Sequence, residues 1–431
     1  EQLYCEAMTD NAYTKQPNDA TQNIGNGSYS TADPYVKKVW DGRYTGIRMC
    51  NELLENIDRV PDLDPELKKR YIGEAKVLRA YNYYELYTKF GDVPYTTKVL
   101  SIKESMSIAR TAKATVIANV LADLDEVING NYLPTSYDAD NKGRITRWAA
   151  MAIKAKIYLF EGNWTQVKNI TSTIMTEGGF KLFGSYAGLF EIANEYNSEV
   201  ILDAQYRPTS REHQMMYVFL PPTLGGYSQL SPLQELVDSY IMLDGKTIKE
   251  TGTSFDESHP YANRDPRLKA TVMYTGNSYT LADGTEVVIN CEKGEGKDGY
   301  GVGSDCSATG YYIKKYWDNA YRATLYSGLN PILIRYADIL LMNAEALAEL
   351  GELDKTAWDA TIKPIRDRAG FTLASAVEFP EGASKDKLIE IVRNERRSEL
   401  ALEGHRHKDI IRWRIADDVL NGWCHGLKTN E

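Results

Sequence analysis

The chain has 431 residues, 43% apolar and 26% charged, the balance of a folded globular protein with one large core or two intertwined domains. A formal net charge of −10 repels phosphate backbones and argues against a nucleic-acid partner. No run of about 18 apolar residues occurs, so no membrane-spanning helix is predicted.

Residues 1–34 are polar and read as loop, with a Gly/Asn/Ser cluster from Asn23 to Ser30. Helical periodicity begins with Val36, Val39 and Trp40 and continues through Tyr44, Ile47, Cys50 and Leu54 to Ile57, ending before Pro61. A second helix is predicted from Pro65, a favoured first-turn residue, to Phe90, where Gly91-Asp92-Val93-Pro94 stops it. A third is expected over 112–129, and a helical pair over 144–161 and 164–177. Residues 178–330 are rich in Gly, Tyr, Asp and Asn, and predict short strands such as 199–204 and 287–291 among loops. Helix returns over 331–350, 355–369 and 384–403.

Two of these stretches resemble each other. Ala155 to Gly162 and Ala344 to Gly351 both carry a small residue, then Gly at the seventh place on, which permits close helix approach and a tight turn. This is tetratricopeptide-like logic. The predicted fold is mainly α. One unit over 1–431 is expected, with a helical-repeat scaffold over 35–177 and 331–413 and a loop-rich, ligand-facing segment over 178–330 packed against it.

Most catalytic signatures are missing. Gly294, Gly296 and Gly299 match a dinucleotide pattern, but loop-like sequence follows where a helix is needed to hold a pyrophosphate. Asp138 and Asp140 open a calcium-like loop, with Lys142 and Ala149 at positions that need oxygen ligands. Cys5, Cys50, Cys291, Cys306 and Cys424 form no CxxC pair; Cys291 and Cys306 flank a Gly-rich loop, and free thiols are the expected state. His405 and His407 sit on opposite helix faces, and there is no HExxH. No cofactor is expected, with structural calcium held by loop oxygens left open.

Tyrosine is in excess, at 30 against 9 Phe, and suits half-exposed surfaces that meet polar ligands. The densest aromatic and polar cluster runs from Tyr311 to Arg322. A Trp beside Asp, Asn and Arg suits a sugar, whose C–H face stacks on the ring while hydroxyls bind polar groups. Core packing of Tyr316 or Trp317 is the competing reading. The stretch from Arg393 to Trp413 holds Glu395, Glu399 and Glu403 at helical spacing, with i,i+3 charge pairs from Arg396–Glu399 to Asp409–Arg412. So dense a ladder beside Leu400, Leu402 and Trp413 predicts a partly buried ionic network.

Taken together these motifs are similar to the SusD/RagB family of Bacteroidota outer-membrane lipoproteins. The resemblance rests on Trp40, Tyr44, Ile47 and Asn51; Gly73-Glu74-Ala75 with Leu78-Arg79-Ala80; Phe90 to Pro94; Asn263 to Arg267; Ile334 to Asp338; and Glu395 to Trp413. It implies a superhelix of helix pairs carrying an irregular segment. It also implies a non-enzymatic protein that captures oligosaccharide at the cell surface and passes it to a SusC-like TonB-dependent transporter. The alternative it leaves open is a transporter lid or adaptor without glycan affinity of its own, or one that binds a peptide. The resemblance further implies a lipid anchor; its cysteine, the first helix region and the usual C-terminal tail are expected to lie outside this chain. By the same resemblance, ligand contacts are expected at Asp10, Asn11, Tyr13, Tyr29, Trp317, Tyr321 and Arg322.

Overall fold

The computed structural model describes residues 3–15 and 21–428. It is mainly helical, with short two-stranded antiparallel sheets. The chain divides into two compact units, one of residues 30–179 and one of residues 1–29 with 180–431. The division therefore separates the two predicted helical halves, and residues 178–330 group mainly with the second half.

The first unit is built from successive antiparallel helices over Pro34–Asn56, Pro65–Phe90, Lys113–Asn129, Arg147–Phe160 and Trp164–Glu177. Four of the five starts carry a capping signal. Asp33 and Asp64 cap helices that open on Pro34 and Pro65, and Thr146 and Asn163 cap the last pair. Gly162 turns between that pair at φ +71°, a backbone conformation that a side chain would strain. Ala155 beneath the turn is fully buried. Across the helices, Arg79 donates to Asn51 at 2.8 Å and to Asp123 at 2.7 Å, so the Asn51 and Arg79 motif positions serve packing.

The second unit repeats the device. Ala344 is fully buried in the helix Tyr336–Leu350, and Gly351 ends that helix at φ +74°. Predicted boundaries move in three places. Residues Ile332–Arg335 form a strand paired with Val200–Asp203, so helix begins at Tyr336 and not at 331. The 355–369 helix is two, Lys355–Ala360 and Ile362–Ala369, because Pro364 has no N–H to donate back to Ala360. The last predicted helix stops at Glu399; Leu402 and Gly404 take positive φ, and a separate helix runs Arg406–Trp413.

That break reshapes the ionic stretch. Asp409–Arg412 forms as an i,i+3 pair at 2.8 Å, but the other charges reach across the unit. Arg335 pairs with Glu199 at 2.7 Å, Glu399 at 2.6 Å and Glu403 at 2.8 Å. Arg267 holds Asp265 at 2.7 Å, Glu395 at 2.7 Å and Glu399 at 2.9 Å, and Arg396 joins Asp338 to Asp409. All these groups are buried, and each charge has partners, as burial requires. Burial opposes ionisation of Glu403 and Asp409, but Arg335 with Lys315, and Arg396 with Arg412, hold their pKa values down to about 2.

The N-terminal segment, read as loop from sequence, contains short elements and buried residues over 3–14. Leu3–Met8 is a 3-10 turn, and Ala12–Thr14 pairs with Leu230–Pro232. All five cysteines are free thiols. The glycine-rich stretch after Cys291 leads into loop and no helix, which removes the dinucleotide reading. Asp298 in that loop accepts from the Thr223 backbone N–H at 2.7 Å and from its hydroxyl at 2.5 Å.

Candidate functional site

The Trp317 region starts from a two-residue strand, Tyr312–Ile313, paired with Val272–Met273. Beyond it the chain does not alternate as a strand. Tyr316 takes φ +73°, and its hydroxyl donates to the Leu402 carbonyl at 2.8 Å. Tyr312 donates to the Asp298 carbonyl at 2.5 Å. Lys315 is buried against Glu403 at 2.8 Å. This half of the aromatic cluster is core.

The next residues face outward in part. The half-buried Trp317 indole donates to the Thr280 carbonyl at 3.2 Å, and its ring lies 5.1 Å from that of Tyr279. Asn319 donates to the same carbonyl at 3.0 Å. Asp318 fixes the loop by capping the turn Asn319–Tyr321 and accepting from the Ile192 N–H at 2.8 Å. Arg322 is exposed and, with Asn319, Asp283 and Thr223, lines an open cavity of about 430 Å³. Tyr321, expected at the ligand, is only 8% exposed and packs in a cluster with Met216, Leu220 and Leu325.

The early residues behave differently. Asp10 is 6% exposed and accepts from Nε and Nη2 of Arg406, each at 2.8 Å, and pairs with Arg397 at 2.9 Å. Burial disfavours its charge, yet the Arg397 and Arg406 guanidiniums hold its pKa below the usual carboxylate range. Asn11 accepts from Arg397 at 2.9 Å and donates to Glu6 at 2.8 Å. Ligand contact through Asp10 and Asn11 is corrected on this ground: their polar atoms fasten the N-terminal segment to the ionic core. Tyr13 is half-buried and accepts from Gln22 at 2.6 Å, while Tyr29 is exposed. The structure therefore does not gather the seven expected residues into one constellation.

A tyrosine-rich surface escaped the sequence reading. Tyr326, on the loop that carries Arg322, is exposed and accepts from Gln214 at 2.7 Å. Exposed Tyr217 meets Tyr227 edge-on at 4.6 Å, and Arg211 lies over the Tyr206 ring at 5.1 Å. Exposed Tyr196 donates to Gln205 at 2.7 Å and accepts from Asn330. The overall tyrosine excess was the available signal; nothing local marked which rings stay outside. Among the described residues no cluster of three or more His, Cys, Asp or Glu is arranged to hold a metal ion. No described helix is long and apolar enough to cross a membrane.

Comparison with known proteins agrees with this architecture. The sequence model described as the SusD family matches residues 189–429, and one described as starch-binding associating with outer membrane matches residues 1–159. A SusD-like protein of Formosa agariphila is 28% identical, over 94% of this chain and 77% of its own length. The crystal structure of a SusD-like carbohydrate-binding protein from Bacteroides fragilis superposes with a TM-score of 0.86 at 29% identity, covering 96% of this chain and 80% of that one. A laminarin-binding SusD-like protein shares the fold at 24% identity with a TM-score of 0.74, over 97% of this chain and 87% of its own. With more than half its length matched, 189–429, and the same helical architecture, the chain belongs to the SusD family.

Proposed function

We propose that this protein binds oligosaccharide on an outer-membrane surface and delivers it to a SusC-like TonB-dependent transporter, as a lipid-anchored binding protein and not an enzyme. The SusD-family match over residues 189–429 carries this reading, because that segment holds both the buried ionic core and the partly exposed Trp317–Tyr326 loop. The similarity to a carbohydrate-binding relative of Bacteroides fragilis supports sugar as the ligand class.

The binding surface is assigned to the loop and its neighbours. Arg322, Asn319 and Asp283 offer hydroxyl-binding groups beside an open cavity, and Tyr326 and Trp317 offer ring surface. Such a shallow, half-polar site gives micromolar to millimolar affinity, about −4 to −8 kcal/mol. Titration calorimetry against a glycan panel tests it. Heat with at least one glycan, weakened by Arg322→Ala, supports the reading; no heat with any glycan at concentrations that saturate millimolar sites rejects it. Co-purification with a SusC-like transporter tests delivery separately.

A further inference from the structure

A cavity of about 910 Å³ in the second unit shares no lining residue with the one beside Arg322. Its volume is in the range that encloses a small ligand. Its wall is aromatic: Tyr261 stacks on Tyr274 at 3.9 Å with planes 18° apart, and meets Tyr311 edge-on at 6.5 Å. Stacking covers one face of the half-buried Tyr261 ring and leaves the other uncovered by that pair.

The polar groups form a chain whose direction is fixed. Gln234 donates through its amide nitrogen to Asp238 at 2.7 Å, which turns its oxygen toward Tyr311, and Tyr311 donates to that oxygen at 2.6 Å. The Tyr311 proton is then spent, so across the 3.2 Å contact Tyr261 must donate to Tyr311. Both ends of the chain are left as acceptors: the Tyr261 oxygen and the second oxygen of Asp238. Glu257 and Glu292 on the same lining add further acceptors. The occupant must therefore bring donors. Arg264 supplies at most one, since four of its five N–H groups donate to the carbonyls of Val237, Tyr240 and Pro260. Lys249, Lys428 and Arg264 on the lining balance Asp238, Glu257 and Glu292 in formal charge, which suits a neutral occupant.

We infer that this cavity is a second saccharide subsite, taking a short neutral oligosaccharide whose C–H face stacks on Tyr261 and whose hydroxyls donate to Tyr261 and Asp238. Sugar as the donor-rich ligand rests on the binding function proposed above. The test uses laminaritriose, maltotriose and cellotriose, titrated by calorimetry into the wild type and into an Arg322→Ala/Tyr326→Ala double variant. At least one trisaccharide is expected to bind the double variant, and adding Tyr261→Ala to weaken that binding at least about tenfold. Asp238→Asn, which keeps the aromatic wall, is expected to weaken it several-fold with an unchanged melting temperature, and it decides the matter where Tyr261→Ala melts early. The subsite is overturned when none of the three binds the double variant, or when Asp238→Asn leaves affinity unaltered. A double variant that matches the wild type in affinity and stoichiometry rejects the Arg322 site and leaves this subsite standing.

Discussion

The stretch from Glu395 to Trp413 and the loop from Trp317 to Tyr326 are both dense in charge and aromatic rings, yet they do opposite things. In the first, the carboxylates meet buried partners: Glu395 holds Arg267 and Arg366, Glu399 holds Arg335, and Asp409 holds Arg396 and Arg412. In the second, Arg322 and Tyr326 remain open to solvent. The same residue types build scaffold where water is excluded and partners are supplied. They build a binding surface where one side stays wet. Removing a buried partner strands a charge, whereas removing an exposed side chain leaves the fold alone.

The largest effect is expected at the hub of the ionic core. Arg335→Ala leaves Glu199, Glu399 and Glu403 without their shared cation, and is expected to cost about 3–5 kcal/mol, read as a lower urea midpoint. Asp10→Asn, which removes the carboxylate charge facing Arg397 and Arg406, is expected to cost roughly 2–4 kcal/mol while leaving glycan affinity intact. Lost affinity with an unchanged urea midpoint returns Asp10 to the ligand.

Acidity probes the same contrast. The folded-state pKa values of Glu403 and Asp409 lie near 2, below their unfolded values, so their stabilisation is complete above roughly pH 4.5 and fades as pH falls toward about 2. Glu6 works in the opposite sense. Burial pushes it up to about 7 despite its bonds to Asn11 and the Gly404 N–H, so the folded state holds its proton more tightly than the unfolded one. Its contribution is present below about pH 4.5 and is lost as pH rises through 7. Urea midpoints measured from pH 2 to 8 should rise steeply from the acid side and then slope gently downward; a flat profile below pH 4 contradicts the buried carboxylate pairs.

Trp317 lies between the two regions in character. Trp317→Ala removes a half-buried ring packed on Tyr279, and is expected to cost about 1–3 kcal/mol of stability and to weaken glycan binding. The smallest effect is expected in the other unit. Glu52→Gln breaks the exposed 3.0 Å pair with Arg48, a change of about 0.3–0.5 kcal/mol or less.

Much of the scaffold was readable from local pattern. Pro65, Thr146 and Asn163 mark helix starts because capping chemistry is local, and Gly162 and Gly351 mark turns because positive φ is a property of one residue. The ionic stretch was legible as buried charge but not as a partner map. Its predicted i,i+3 ladder presumed one continuous helix, and the break after Glu399 redirected Arg406 to Asp10, 396 residues away. No window along the sequence contains such a pair. The aromatic cluster failed for a related reason: which of Tyr311 to Tyr321 turn inward depends on the positive φ at Tyr316 and on carbonyls of Asp298 and Leu402. The seven expected contacts divided accordingly, with Arg322 and Tyr29 exposed, Tyr13 and Trp317 half-buried, and Asp10, Asn11 and Tyr321 buried.

Titration of one glycan panel into the wild type and Arg322→Ala, with urea midpoints measured on both, separates the two regions most directly. The expected result is binding of at least one glycan by the wild type, at least about tenfold weaker in Arg322→Ala, with the midpoints equal. Equal affinity in the two proteins, or no binding by the wild type, contradicts the assignment of the Trp317–Tyr326 loop as the ligand surface.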